Sequence, residues 1–403
     1  MNILRKMAAF FVQRLEPAKA EGWPQPFGPS DSGESVSETS ALALSTVWAC
    51  RNLIAGTISS LPIMVYRTTG GQREEARDHP LWRVLHDSPN YDQTAVDCWD
   101  YMTSSIELWG NGYARVVRER GEVKAIVPTH PDGKTVRRLS SGTIEYRWTE
   151  DGKAQVHTDR DMLHIRGPGG DPLGGMSTLA YGRQAIGAAK AADRAAASIF
   201  RNGLRPSGTM TFKEWLTKEQ RDLAEGKMAD KYIGAVNSGR PMLLEGGVEW
   251  KPVTINPDDA QMLESRAFSV EEICRFFGVP PFMVGHTEKS TSWGTGIEQQ
   301  TIAFQRFTLR ARLKRIEQAL AKQLMTPEDR AQGLAIEFNI EGLLRGDSAG
   351  RSAFYTAALG TTQQPGWMTV NEIRRLENLP PKPGGDEMTP LIAGPSAQEA
   401  IAP

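Results

Sequence analysis

The chain has 403 residues, 39% of them hydrophobic and 24% charged, which is enough apolar material for two or three domains with buried cores. Its 39 glycines and 25 prolines are too few for a low-complexity chain, and 47 basic against 48 acidic residues leave a net charge of -1, which excludes a protein that grips nucleic acid by bulk charge. Cys50, Cys98 and Cys274 are odd in number and far apart, so neither a zinc ribbon nor a disulfide framework is expected, and a reducing compartment fits.

At the start, Arg5 and Lys6 precede an apolar run of about six residues, shorter than a signal-peptide core of roughly 7–15. No uninterrupted run of about 18 apolar residues follows, so no membrane span is expected. Residues 20–40 are rich in Gly, Pro, Ser and Glu, and 1–40 reads as a flexible arm. An amphipathic helix is predicted over 41–60, with Leu44, Val47, Trp48, Ile54 and Ile58 on one side. A strand follows Pro62, and a second helix over 94–109 carries Val96, Trp99, Met102, Ile106 and Trp109 before closing at Gly110. Two hairpins come next, one around Gly121 and one around Asp151-Gly152, a good type I′ pair. The first 165 residues therefore read as α+β.

A glycine-rich loop over 167–175 leads into a long alanine-rich helix over 178–202. At about 100° per residue, Arg183, Lys190, Arg194 and Arg201 fall within an arc of about 40°. Opposite them lie Ala185, Ala188, Ala189, Ala192, Ala195, Ala196 and Ile199, a smooth face that invites a neighbouring helix. Residues 206–256 read as an α/β insert, with a strand near 207–212, a helix capped by Thr217 and Gln220, and a hairpin around Gly246-Gly247. A helix over 257–278, a polar loop, a third long helix over 296–325 and a helical tail complete the chain. Thr369 and Glu372 form a capping box in that tail.

The chemical motifs fall short. Gly133-Lys134-Thr135 lacks the upstream glycine of a phosphate-binding loop, because Pro128 stands there, and reads as a turn. Gly175-Met176-Ser177-Thr178-Leu179 lacks the second glycine of a nucleophile elbow, and Ser177 or Thr178 reads as a helix cap. Gly167-Pro168-Gly169-Gly170 misses the dinucleotide fingerprint. The six histidines show no HExxH spacing, and Arg345-Gly346-Asp347 stands without any other secreted feature. No catalytic residue, metal or cofactor is expected.

Several stretches nonetheless carry a family likeness. They are residues 41–66, His79-Pro80-Leu81, Ser88-Pro89-Asn90, Trp109-Gly110-Asn111-Gly112-Tyr113, Leu163-His164-Ile165-Arg166 and Gly174-Gly175-Met176-Ser177. Further on come Asn202-Gly203-Leu204-Arg205-Pro206-Ser207-Gly208, Ile273-Cys274-Arg275-Phe276-Phe277-Gly278-Val279-Pro280-Pro281-Phe282 with Glu298-Gln299-Gln300, and Glu372-Ile373-Arg374 with Leu379-Pro380-Pro381. In this order they resemble the portal, or head–tail connector, proteins of tailed bacteriophages over about residues 41–390. At Thr308-Leu309-Arg310-Ala311-Arg312 the family pattern leads one to expect a proline that is not there.

The resemblance implies an α+β ring subunit with an α/β wing (41–177), stem helices (178–205 and 257–283) and a small α/β clip (206–256). It further implies a tunnel loop (284–295), a long wing helix (296–345) and a helical C-terminal crown and tail (346–403). It implies a homo-oligomeric ring, usually dodecameric, at one capsid vertex of the virion, assembled in the host cytoplasm. Double-stranded DNA would pass through it irrespective of sequence. The terminase large subunit, a head-completion or tail adaptor, and the major capsid and scaffold proteins would be its partners, with no membrane. In that frame His286, Thr287, Glu288, Lys289, Ser290, Thr291, Ser292 and Trp293 form the tunnel loop. Arg183, Lys190, Arg194, Arg201, Glu264 and Glu271 are stem charges that line the channel or join subunits. The alternatives are a phage-encoded hydrolase or capsid protease, which needs a Ser–His or Cys–His pair, and a ring NTPase, which needs the missing phosphate loop.

Overall fold

The computed structural model describes residues 27–70, 72–202, 208–211, 217–219, 221–222, 249–252, 259–287, 295–340, 348–360, 364–377 and 379–388. The chain divides into two units, Met1–Phe338 and Asn339–Pro403. No helix among the described residues is long and apolar enough to cross a membrane.

The first unit opens with a hairpin of β1 (Gly28–Pro29) and β2 (Ser35–Val36), inside the stretch read as an arm, followed by α1 (Glu38–Leu42). Helix α2 (Ser45–Ser59) buries Val47, Cys50, Ile54 and Ile58 at helical spacing. Trp48, expected on that face, is 53% exposed, and Cys50 takes the inward position. Strands β3 (Ile63–Thr69) and β4 (Gln72–Glu75) are followed by α3 (Pro80–Trp82), capped by the His79 ring, which also contacts Asp329 at 3.2 Å. Helix α4 (Ala95–Trp109) starts in a reciprocal Thr94–Asp97 capping box and packs Cys98, Trp99, Met102 and Ile106 inward. Val96, also expected inside, is 53% exposed.

Among the described residues, antiparallel pairing builds three three-stranded sheets: β5 (Asn111–Glu119) between β6 (Glu122–Thr129) and β10 (Met162–Arg166); β8 (Ile144–Glu150) between β7 (Thr135–Arg138) and β9 (Lys153–Thr158); and β3 between β4 and β13 (Leu334–Phe338). The hairpin turns fall where the sequence places them. Asp151 and Gly152 both have positive φ, 50° and 73°, as a type I′ turn requires. The Gly133-Lys134 segment is also a turn. Lys134 donates to the His130 carbonyl at 2.7 Å and lies 4.1 Å above the Trp148 ring, where burial pulls its pKa down to about 8.

The predicted helix over 178–202 is broken at Gly182 into α5 (Thr178–Tyr181), capped by Ser177, and α6 (Arg183–Asn202). Strand β11 (Gly208–Thr211) pairs with β12 (Glu249–Pro252), and most of the rest of the expected insert lies outside the described residues. Helix α7 (Asp259–Phe277) ends at Gly278. The third long helix is α8 (Thr295–Ala303), a π turn (Phe304–Leu309) and α9 (Arg310–Leu324), so the π turn directly precedes the place after Leu309 where the family pattern has a proline. Helix α10 (Pro327–Ala331) precedes β13.

The second unit holds α11 (Ser348–Leu359) and α12 (Val370–Leu376), the latter started by the Thr369–Glu372 capping box. Buried Asn371 exchanges hydrogen bonds with the Lys382 main chain at 2.7 and 3.0 Å and donates its own N–H to Gly385 at 2.8 Å.

Candidate functional site

Helices α6 and α7 run antiparallel. Asp193 meets Arg266 at 3.0 Å, and Gly182 faces Phe276 at the opposite end of the pair. The alanine face of α6 is divided between two environments. Ile186, Ala189 and Ala196 are buried, whereas Ala188 and Ala195 are exposed. Phe268 and Phe276 of α7 are also exposed, at 52% and 44%.

The basic stripe of α6 has a partner that the sequence reading missed. Buried Glu34, in the turn of the β1–β2 hairpin, reaches Lys190 at 3.6 Å and Arg194 at 2.5 Å, and Lys190 also donates to the Ser35 carbonyl. The hairpin lies close to the helix at Gly187, where a Cβ would come within 2.1 Å of the Ser30 hydroxyl. Arg183 lies against Gly28 of the same hairpin. Arg201 and Glu264 fall in α6 and α7, with side chains outside the described set. The signal for the hairpin was Gly33 between polar residues in a stretch whose composition otherwise reads as an arm.

Where α7 ends, the chain turns sharply. The Gly278 and Val279 N–H groups return to the carbonyls of Arg275 and Cys274 at 3.2 and 2.9 Å, with Gly278 at φ 68°: a Schellman cap. A short 3₁₀ turn, Pro281–Val284, leads to Gly285 and then to His286, which lies 3.7 Å from Glu271. The fold thus brings together one residue from the expected loop and one from the expected stem. Thr287 is exposed, and 288–294, with Glu288, Lys289, Ser290, Thr291, Ser292 and Trp293, lie outside the described residues.

This turn is anchored from α9. Arg312 donates two hydrogen bonds to buried Glu107 of α4 at 2.7 and 2.8 Å, a third to the Phe277 carbonyl at 3.0 Å and a fourth to the Thr308 carbonyl at 3.2 Å. Although burial disfavours its charge, the Glu107 carboxylate holds the guanidinium protonated more firmly than usual. The Thr308 hydroxyl donates to the Gly278 carbonyl at 2.7 Å. Nearby, the buried thiols of Cys50 and Cys274 stand 3.9 Å apart across α2 and α7; the neighbouring sulfur and burial push Cys50 up.

Behind the helix pair, the quoted motifs meet. Gly110 has φ 77°, and a Cβ there would stand 2.4 Å from the Met176 carbonyl carbon, so only glycine fits this crossing. Asn111 Oδ1 accepts from Gly175 N–H at 2.8 Å and from His164 Nε2 at 2.9 Å, which leaves Nδ1 to accept from Tyr146 at 3.3 Å. Burial, helped by the charge of Arg166, drives His164 down to about 3, so it stays neutral and serves as a strut rather than a base at neutral pH.

Known proteins resemble this chain along most of its length. The portal protein of Enterobacteria phage HK97 is 36% identical over 356 residues, 87% of this chain and 82% of that protein. The probable portal protein of Streptomyces phage phiC31 is 32% identical, over 92% and 84% respectively. Among solved structures, the neck of a native gene transfer agent particle computed with C12 symmetry matches with a TM-score of 0.60 at 26% identity, covering 91% of this chain and 98% of that one. The crystal structure of an HK97-family phage portal protein from Corynebacterium diphtheriae matches in fold, with a TM-score of 0.55 at 18% identity over 77% and 97%. The phage portal protein family matches residues 45–378, a span that holds the Gly110 crossing, the antiparallel helix pair and the Gly278 joint, and the chain belongs to that family of structural, non-enzymatic proteins.

Proposed function

We propose that the chain is the subunit of a twelve-membered ring at the portal vertex of a virion, through which double-stranded DNA is packaged and ejected. The observation that carries this reading is the likeness to a neck computed with C12 symmetry, which extends over 91% of the chain. In this reading α6 and α7 are the stem. The exposed Ala188, Ala195, Phe268 and Phe276 supply the apolar side chains that an adjacent copy covers.

The charge geometry suits a conduit. Each phosphate neutralised by a free cation adds salt-dependent grip, which would brake sliding DNA. Lys190 and Arg194 share the single carboxylate of Glu34, which offsets half of their combined charge, so the stem stripe presents a damped field. Residues 284–295 form the tunnel loop, 206–256 the clip that docks the terminase large subunit and then the tail adaptor, 41–177 with 296–345 the wing, and 346–403 the crown; capsid and scaffold proteins surround the ring. Electron micrographs of the purified full-length protein test the reading. Rings of twelve with a central channel are expected, and a monomer without a channel overturns it.

A further inference from the structure

A cleft of about 1120 Å³ opens between α9 and the ends of strands β8 and β10. On α9, Arg315, Gln318, Ala319 and Lys322 line it at spacings of three and four, so one helical face forms a wall. On β10, His164 and Arg166 alternate into it. Its inner surface is apolar, from Tyr146, Leu324 and Met325, all buried, and half-buried Ile144.

Around this apolar floor stand five cations, Arg118, Arg160, Arg166, Arg315 and Lys322, against two carboxylates, Asp159 and Asp161. None of the five forms an ion pair with a carboxylate among the described residues. Arg118 and Arg315 each donate to a main-chain carbonyl, of Gln323 at 2.9 Å and Gly167 at 3.0 Å. The side chains of Arg160, Arg166 and Lys322 make no hydrogen bond or ion pair among the described residues, and Arg166 Nε is buried without a partner. In a chain of net charge -1, five unpaired cations crowded around one concavity repel one another, and an anionic occupant relieves that repulsion.

The shape selects among anions. A DNA duplex is a stiff rod that meets proteins through phosphates on its outside, and an apolar floor at the bottom of a cleft offers it nothing. A peptide with acidic flanks and an apolar centre matches both floor and rim. Strand β10 is an edge strand, but the Gln323 amide already accepts from the His164 N–H at 2.8 Å and donates to the His164 carbonyl at 3.0 Å. Strand addition is therefore blocked at that position, and a helical wall beside an apolar floor favours the mode in which an amphipathic helix lies in a groove.

We propose that this cleft is a docking site for an acidic amphipathic helix of a partner protein. The inference uses only α9, β5, β8, β10 and their connecting residues, and stands whether or not α6 and α7 line a channel. The test titrates the full-length protein into a fluorescein-labelled synthetic peptide, helical, with a leucine stripe flanked by glutamates. A labelled DNA duplex serves as the second probe. Saturable peptide binding is expected, lost when the leucines are changed to serine and weakened about tenfold or more by the exposed-rim double variant Arg160→Glu/Lys322→Glu. Circular dichroism of that variant should match the unaltered protein. Peptide binding that the variant leaves unchanged overturns the proposal, as does binding of neither probe; a duplex bound in preference, and released by the same variant, makes the cleft a nucleic-acid site instead.

Discussion

Arg312 and Glu107, 205 residues apart in sequence, share two parallel hydrogen bonds of 2.7 and 2.8 Å, with the Glu107 side chain 3% exposed. Removing one partner strands the other charge in the interior, a loss of about 3–5 kcal/mol. Arg312→Leu should therefore lower the urea midpoint far more than Arg312→Leu combined with Glu107→Leu, which removes both charges. Equal midpoints for the two variants would show that the pair does not act as a unit.

His164 makes stability depend on pH. Its folded pKa, about 3, lies below the unfolded value of about 6.5, so between those limits the unfolded chain binds more protons than the folded one. Stability should rise with pH through that window by up to about 1.4 kcal/mol per unit and level off above it. The contribution is isolated by the difference between the unaltered chain and His164→Gln in urea titrations at several pH values. A parallel pH dependence for both would refute it.

Glu34 ties the β1–β2 hairpin to α6 through Lys190 and Arg194. Glu34→Ala should leave the core intact but release the hairpin, raising amide hydrogen exchange over 28–36 about tenfold while 95–109 is unchanged. Uniform protection in both segments would count against this role.

If the outward half of the α6 alanine face meets an adjacent copy, Ala188→Trp should block ring assembly and leave a folded monomer. Ala189, buried within the chain, provides the contrast: Ala189→Trp should cost about 1–3 kcal/mol through overpacking before assembly is reached. Size-exclusion chromatography with circular dichroism separates the two effects. Normal rings from Ala188→Trp would remove that face from the interface.

For the proposed tunnel loop, Lys289→Ala should leave rings intact and lower the yield of DNA-filled heads, and deletion of 287–292 should lower it further. Normally filled heads from both variants would return the segment to an ordinary surface loop.

Local signals were legible because their physics is local. The Thr369–Glu372 box, the Ser177 cap, the helix end at Gly110 and the Asp151-Gly152 turn are each satisfied within a few residues. Distant pairings leave no such trace. Lys190 finds Ser35 across 155 positions, and nothing around either residue announces the other. Trp48 was misplaced because a helical period admits neighbouring stripes, and small Cys50 fits the α2–α7 contact where an indole does not. The loop residue His286 and the helix residue Glu271 were both named from sequence, but their meeting depends on the turn at Gly278, which only the folded chain displays.

The π turn Phe304–Leu309 fits one more residue into its length than an α-helix would. A proline fixes a bend by deleting an N–H, but this turn keeps every donor and instead sets the clocking of α8 about its own axis. From Ile297 to Gln300 and again at Ile302, α8 is exposed, so its own packing does little to hold that orientation. Removing one residue from the turn would rotate α8 by about 100° while α9 stayed pinned through Leu313, Ile316 and Leu320. The direction in which Ile297 and Ile302 point is thus written as a residue count, and a length change there would redirect them and displace buried Phe304, while the core contacts of Leu313, Ile316 and Leu320 in α9 stayed in place.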